Sequence, residues 1–357
     1  MPQYINELKG YQPLCLLSDG GYLLYKKGRF LIFKKKIKNV FKIKRSFFLI
    51  VKESTKITQR LFRTRIKASL VINDREIIFS KNSRIFHLNV ETQSLTVIFH
   101  SSDGFSTPLN LTKSLTKDYI AVFGDYGGNP NYDAVNIYGV DNNLVVTKLY
   151  SFEHDSIKHI HNIIPDRTLT YYYIFTGDNE EKAGIYLANS NFNKIKAVFI
   201  GEPKARIVSA FDTSEGLLCA TDSVSHQNSI YLLNSKSGQI IKEISKINGS
   251  CIYATQCATG FIFSTTVEPP EENTFLNKIT TKRGIGILSN SIDIIYVTKN
   301  FEVKSIRQLK KDFLPAHLFQ FGSVMFASGQ ENENIILGYC CSTKKSDGEI
   351  IYLNNKA

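Results

Sequence analysis

One short pattern recurs along this chain and limits what it can fold into: a five-residue apolar strand carrying Ile-Tyr or Ile-Phe. RIFHL from Arg84, AVNIY from Ala134, AGIYL from Ala183 and NSIYL from Asn228 stand 50, 49 and 45 residues apart. RFLIF from Arg29, DIIYV from Asp293 and EIIYL from Glu349 extend the series to seven. The sequence between them is made of short β-branched and aromatic runs closed by polar turns. No apolar pattern holds a helical period of about 3.6 residues for long.

A period of this length suits a four-stranded blade, which cannot bury both of its faces alone and does so against its neighbours. The reading is therefore all-β, a seven-bladed β-propeller forming a single domain over residues 1–357. The repeats fall at about 13–46, 66–101, 106–152, 158–200, 205–246, 250–310 and 315–357. Six blades are the alternative count and a pair of β-sandwiches the alternative architecture. A strand around Tyr4 to Leu8 is expected to complete the last blade.

With 43% hydrophobic and 12% aromatic residues the chain can build a large core. The longest apolar run near the start, Phe47 to Val51, is far short of the about 20 residues that cross a bilayer. MPQYINELKGYQP lacks the basic start and apolar run of a secretory signal. The six cysteines show no CxxC spacing and read as reduced structural thiols. A cytoplasmic protein is expected.

The net charge of +12 is concentrated in one place. Tyr25 to Arg65 holds fifteen Lys and Arg against one acid, Glu53, a local +14 that leaves the rest of the chain at −2. The cations alternate with aliphatic and aromatic residues, and no RNA-binding, zinc-finger or helix-turn-helix pattern accompanies them. Nucleic acid is thus disfavoured. A solvated strand and loop is the plain reading. An anionic membrane surface, met through Lys34, Lys35, Lys36, Lys42, Lys44 and Arg45, is the functional one, with a peripheral place at the inner membrane.

Polar clusters close the second strand of four successive repeats: GDYGGNP from Gly124, TGD from Thr176, TDS from Thr221 and TTVEP from Thr265. Residues that open first strands, among them Arg60, Arg65, His159, His161, Arg206 and Asp312, belong to the same face of a propeller. Asp and Gly are common turn-formers, so each acid has a structural reading. Read functionally, Asp178, Asp222 and Glu268 supply acid, base or nucleophile, and Asp125 and His161 orient groups or transfer protons. Arg206 grips an anionic substrate group, with His159, Arg63, Tyr126 and Asn228 as further substrate contacts. His159 and His161, two apart on a strand, have a spacing that suits a metal ion. The sequence identifies no third ligand, so neither metal nor cofactor is expected.

The order GDYGGNP, IKHIHNI, FTGDNEEKAGIY, ARIV, ATDSVSHQNSIYLLN and STTVEP resembles a group of bacterial propellers related to the sialidase-like, BNR-repeat (Asp-box) superfamily and linked to surface-polysaccharide loci. The resemblance covers Asp118 to Pro269. Asp-box repeats end in Trp, and this chain has none; NSNFNKIKAV and NSKSGQIIKE are at most eroded versions. The resemblance implies a carbohydrate-active propeller, a hydrolase or lyase acting on an acidic or polymeric sugar. A non-catalytic propeller that binds a glycan or a protein is the alternative.

Overall fold

In a computed structural model of the chain, the described residues are 7–34, 36–271, 279–329 and 335–354. Seven antiparallel sheets follow one another, spanning residues 12–42, 68–100, 112–152, 160–200, 207–247, 251–310 and 323–354. Among the described residues six have four strands and the last has three, and in every sheet consecutive strands are neighbours. The chain is an all-β, seven-bladed β-propeller. Each sheet falls within about eight residues of one repeat, the third and seventh sheets starting six and eight residues later than read from sequence. Residues 4–6, where a closing strand was expected, lie outside the described residues, and Glu7–Gly10 form a turn.

Burial runs in a gradient across each sheet and explains why the repeats look as they do. Second strands such as Tyr171–Thr176 (YYYIFT) and Gly260–Thr265 (GFIFST) are buried on both faces. Fourth strands such as Ile195–Ile200 and Val303–Lys310 are largely open to solvent and carry the lysines. A continuous apolar run is what a strand covered on both sides requires, so strict alternation survives only towards the exposed edge.

The chain divides into two compact units. One comprises 66–222 and 229–243, the other 1–65, 223–228 and 244–357. In the first, Ile78, Ile85, Phe123 and Val140 join the second and third sheets, and Val122, Ile137, Ile160 and Tyr172 join the third and fourth. Phe175, Ile185, Cys219 and Tyr231 join the fourth and fifth. In the other unit Ile262, Ile294, Val324 and Ile336 join the sixth and seventh sheets. All six cysteines are buried, and burial pushes Cys15 and Cys340 up to about 12, which keeps their thiols protonated.

Between the first and second sheets the chain forms two short helices, α1 (Phe47–Lys52) and α2 (Lys56–Leu61). Ser46 caps α1, and Thr55 with Thr58 forms a capping box on α2. Among the described residues no helix is long and apolar enough to cross a membrane. The insert is held by polar contacts. Arg60, 2% exposed, pairs with Asp312 and Asp347 and donates to the Phe319 carbonyl. Arg65 donates to Gln320 Oε1 at 2.9 Å and contacts Cys341.

Removing one partner of a buried ion pair leaves the other charged groups uncompensated, whereas an exposed pair is worth little. Arg60→Ala is expected to lower the unfolding free energy by about 3–5 kcal/mol. Arg75→Ala, which breaks an exposed pair with Glu91, is expected to cost less than about 1 kcal/mol. Urea denaturation of the two variants checks the contrast.

Candidate functional site

The recurring threonines at the second-strand ends are structural. Thr176 Oγ1 accepts the amide of Gly184 at 2.9 Å, Thr221 that of Ser229 at 2.8 Å and Thr265 that of Asp293 at 2.8 Å. Each hydroxyl ties a second strand to the start of the third. Asp125 does the same work in the third sheet, where Oδ2 accepts from the Asn136 amide and Asn136 Nδ2, both at 2.9 Å, and from the Tyr138 hydroxyl at 3.4 Å. Burial nevertheless raises the Asp125 carboxyl, since the desolvation outweighs these donors.

The other unit holds three of the sequence-predicted residues. Glu268 Oε1 accepts from the Ser250 and Thr266 hydroxyls. Asn228 accepts from the Ser223 amide at 2.9 Å and donates to the Ser223 and Gly286 carbonyls. Arg63, at φ 50°, donates to the His317 carbonyl at 3.1 Å.

His159, His161, Asp178 and Arg206 come together in the unit made of residues 66–222 and 229–243. The strand Ile160–Pro165 bulges at His161: Ile160 pairs with Thr176 but Asn162 with Phe175. A bulge redirects the side chain it carries, and the next two sheets bulge at the equivalent place. The His161 ring then lies so close over Gly177 that a Cβ there would fall 1.8 Å from His161 Cε1. Asp178 follows at φ 70°, a left-handed conformation that Asp tolerates better than most side chains.

The hydrogen bonds fix both imidazole tautomers. His159 Nδ1 lies 2.6 Å from the Gly127 carbonyl and His161 Nδ1 3.0 Å from the Ile207 carbonyl. A carbonyl only accepts, so both Nδ1 atoms carry the proton and both Nε2 atoms face inward. His159 Nε2 stands 3.4 Å from Asp178 Oδ2, and His161 Nε2 stands 3.3 Å from Asp178 Oδ1. Arg206 Nη2 reaches the same Oδ1 at 3.3 Å. His159 is 1% exposed and its Nε2 has no hydrogen-bond partner among the described residues, while the Asp178 side chain is 33% exposed.

Burial pushes His159 down to about 3, against the pull of Asp178. Burial also opposes charge on His161, but its hydrogen bond to Asp178 and the Asp178 and Asp222 charges raise it above the ordinary range. Burial alone would raise Asp178; His159, His161 and Arg206 overcome it and hold the carboxyl well below its usual range. Asp222 is buried beside this group, its amide donating to the Arg206 carbonyl at 2.8 Å.

Tyr126 packs against both imidazoles, with ring centroids 4.6 Å and 6.2 Å away, and Lys67 Nζ sits 4.9 Å from the Tyr126 ring centre. Sequence reasoning named His159, His161, Asp178, Arg206, Asp222 and Tyr126 but not Gly177 or Lys67. The TGD motif contained the glycine. Its need for a bare backbone could not be read without knowing that His161 packs there. Two imidazoles and a carboxylate whose ligating atoms all lie within 4.8 Å of one another can hold a metal ion.

No protein-family model matches the sequence, and no curated protein matches it. Solved structures do. A chain of a mitotic checkpoint complex is 9% identical with a TM-score of 0.56, covering 96% of this chain and 89% of its own length. The oligogalacturonate lyase of Vibrio parahaemolyticus is 8% identical with a TM-score of 0.56, covering 97% and 89%. A candidate 6-phosphogluconolactonase of Bacteroides fragilis is 9% identical with a TM-score of 0.51, covering 96% and 97%. At these identities the likeness is one of fold.

His159 gives a pH signature. Its folded value lies far below 6.5, so the unfolded chain binds a proton that the folded chain does not, and stability falls as pH drops from about 6.5 towards about 3. In the presence of a chelator, His159→Asn is expected to lose less stability than the parent between about pH 7 and about pH 4. Urea denaturation across that range measures the difference.

Proposed function

We propose that this protein is a divalent-metal-dependent enzyme acting on an anionic sugar, with the ion held by His159 Nε2, His161 Nε2 and Asp178. The observation that carries the reading is the pair of inward-facing Nε2 atoms beside one carboxylate. An imidazole lone pair and a carboxylate oxygen repel unless a cation stands between them. A proton on His161 serves one of the two contacts and leaves His159 Nε2 facing Asp178 Oδ2 without a donor.

The spacing is compatible with the same reading: each imidazole Nε2 faces one Asp178 oxygen, at 3.4 Å to Oδ2 and 3.3 Å to Oδ1, and one ligand atom from each residue lies within 4.8 Å of the others. Backbone carbonyls orient both rings through Nδ1, the outer contact that metal-binding histidines commonly make. Three protein ligands leave a position open for substrate, and the partly exposed Asp178 marks the side from which it is reached.

When bound, such an ion supplies a Lewis acid that draws charge from a substrate carboxylate or carbonyl. The chain's own residues do the rest. Arg206 neutralises Asp178 and keeps its Oδ1 in place. Tyr126 packs on the His159 ring and holds the Lys67 ammonium over its own, which adds a cation for an acidic substituent. Asp125 is engaged by three donors and Glu268 by two hydroxyls, which favours chemistry built on an anion clamp over a hydrolytic carboxylate pair. A lyase reaction on a uronate-type oligosaccharide fits this donor set, and the fold neighbour named as an oligogalacturonate lyase suggests the first substrate to try.

Metal analysis after reconstitution with zinc or manganese is expected to find one ion per chain. An excess of about 100 times Kd is expected to stabilise the fold by about 2.7 kcal/mol, an effect absent in His159→Ala. Gly177→Ala, which drives a methyl group into the His161 ring, is expected to weaken metal binding about 10- to 100-fold. Turnover of oligogalacturonate, followed by the absorbance of the unsaturated product, is expected to need the ion and to be lost in Asp178→Asn. Metal content indifferent to His159→Ala would refute the site, and metal binding without turnover of acidic oligosaccharides would leave a binding propeller.

A further inference from the structure

The helical insert between the first and second sheets has its polarity reversed. A surface helix ordinarily turns its apolar side chains inward and its charges outward. Here the inward residues are Glu53, Arg60, Thr64 and Arg65, all buried. Glu53 accepts from the Tyr25 hydroxyl and from Arg45 Nη1, both at 3.0 Å, and Arg60 meets Asp312 and Asp347. The outward residues are aromatic and aliphatic. Phe47 is 73% and Phe48 75% exposed, with Ile50, Val51, Ile57 and Phe62 exposed as well. Helix α1, FFLIVK, buries none of its residues.

Such a cluster is costly in water and marks a surface that something covers. Charge decides among the candidates. The apolar cluster lies inside the segment of fifteen cations and one acid, and that acid is turned inward. Lys42, Lys44 and Lys52 are exposed around it, with Lys52 Nζ 5.3 Å from the Phe62 ring centre, while Lys56 pairs with Glu349 at 3.6 Å. A second copy of the chain would bring the same positive charge to the contact and be repelled. A fluid surface that takes up aromatic side chains and carries negative charge fits both halves of the pattern.

We infer that this insert docks on an anionic lipid bilayer, with Phe47 and Phe48 entering the headgroup region and the flanking lysines meeting lipid phosphates and carboxylates. The polar anchors at Glu53 and Arg60 hold the two helices firm against the body, so the apolar side chains are presented without a refolding step. Among the sequence-predicted cations, Lys42 and Lys44 face solvent, Lys34 pairs with Asp19 at 3.4 Å and Arg45 with Glu53. Lys35 lies outside the described residues, as does the Lys36 side chain. The inference is independent of the metal site.

The test is co-sedimentation of the full chain with phosphatidylcholine vesicles, with and without phosphatidylserine. The protein is expected to pellet with the phosphatidylserine vesicles only, and progressively less as salt rises. Phe47→Ser/Phe48→Ser is expected to abolish pelleting with an unchanged thermal melt, since both side chains are exposed. Lys42→Ala and Lys44→Ala are each expected to weaken binding about fivefold, the effect of one basic residue at such a surface. Three results would overturn the inference: no pelleting with phosphatidylserine vesicles, a double phenylalanine variant that pellets like the parent, or a concentration-dependent dimer in sedimentation velocity that this variant abolishes. The last would assign the surface to a protein partner.

Discussion

Each second strand in this protein is apolar on both faces, and a single antiparallel sheet cannot satisfy such a strand. Tyr171–Thr176 and Gly260–Thr265 are buried almost throughout. Only further sheets packed against their own can cover them, and the core clusters accordingly run from one sheet into the next. The strands therefore diverge only at their ends, where Thr176, Thr221, Thr265 and Asp125 tie the second strand to the third. The polar side chains of the candidate site stand at those ends, beyond the stretch of the second strand that is covered on both faces.

The site illustrates how a repeated scaffold is made particular by single residues. Bulged first strands occur in three successive sheets, with Ile207–Thr213 and Cys251–Cys257 showing the same irregularity as Ile160–Pro165. Only in the fourth sheet does the bulge carry a histidine, and only there is it met by a glycine and a left-handed aspartate. The scaffold repeats, and His159, His161, Gly177 and Asp178 make this one copy of it different.

The helical insert follows a different physical rule. Its attachment rests on Glu53 and Arg60, buried charges that are satisfied because each meets oppositely charged or hydroxyl partners. Polar anchoring frees the apolar side chains of α1 from any duty in the core. The same segment that gives the chain its positive charge thus also exposes Phe47, Phe48, Ile50 and Val51 to solvent.

The fold was legible because propeller repeats are periodic: the seven Ile-Tyr or Ile-Phe strands, at intervals of 45 to 65 residues, each fall on the third strand of one sheet. The candidate side chains were legible as types at strand ends, and four of them, His159, His161, Asp178 and Arg206, do meet. Their division into roles was not. Asp125 and Asp178 look alike in sequence, yet one carboxylate is engaged by Asn136 and Tyr138 while the other meets two imidazoles. Tautomer, bulge and close approach at Gly177 depend on atoms supplied by strands far apart in the chain. The same holds for the reversed polarity of α1: sequence shows which residues are apolar, but which side of a helix faces water is decided by the partners that tertiary packing brings to Glu53 and Arg60.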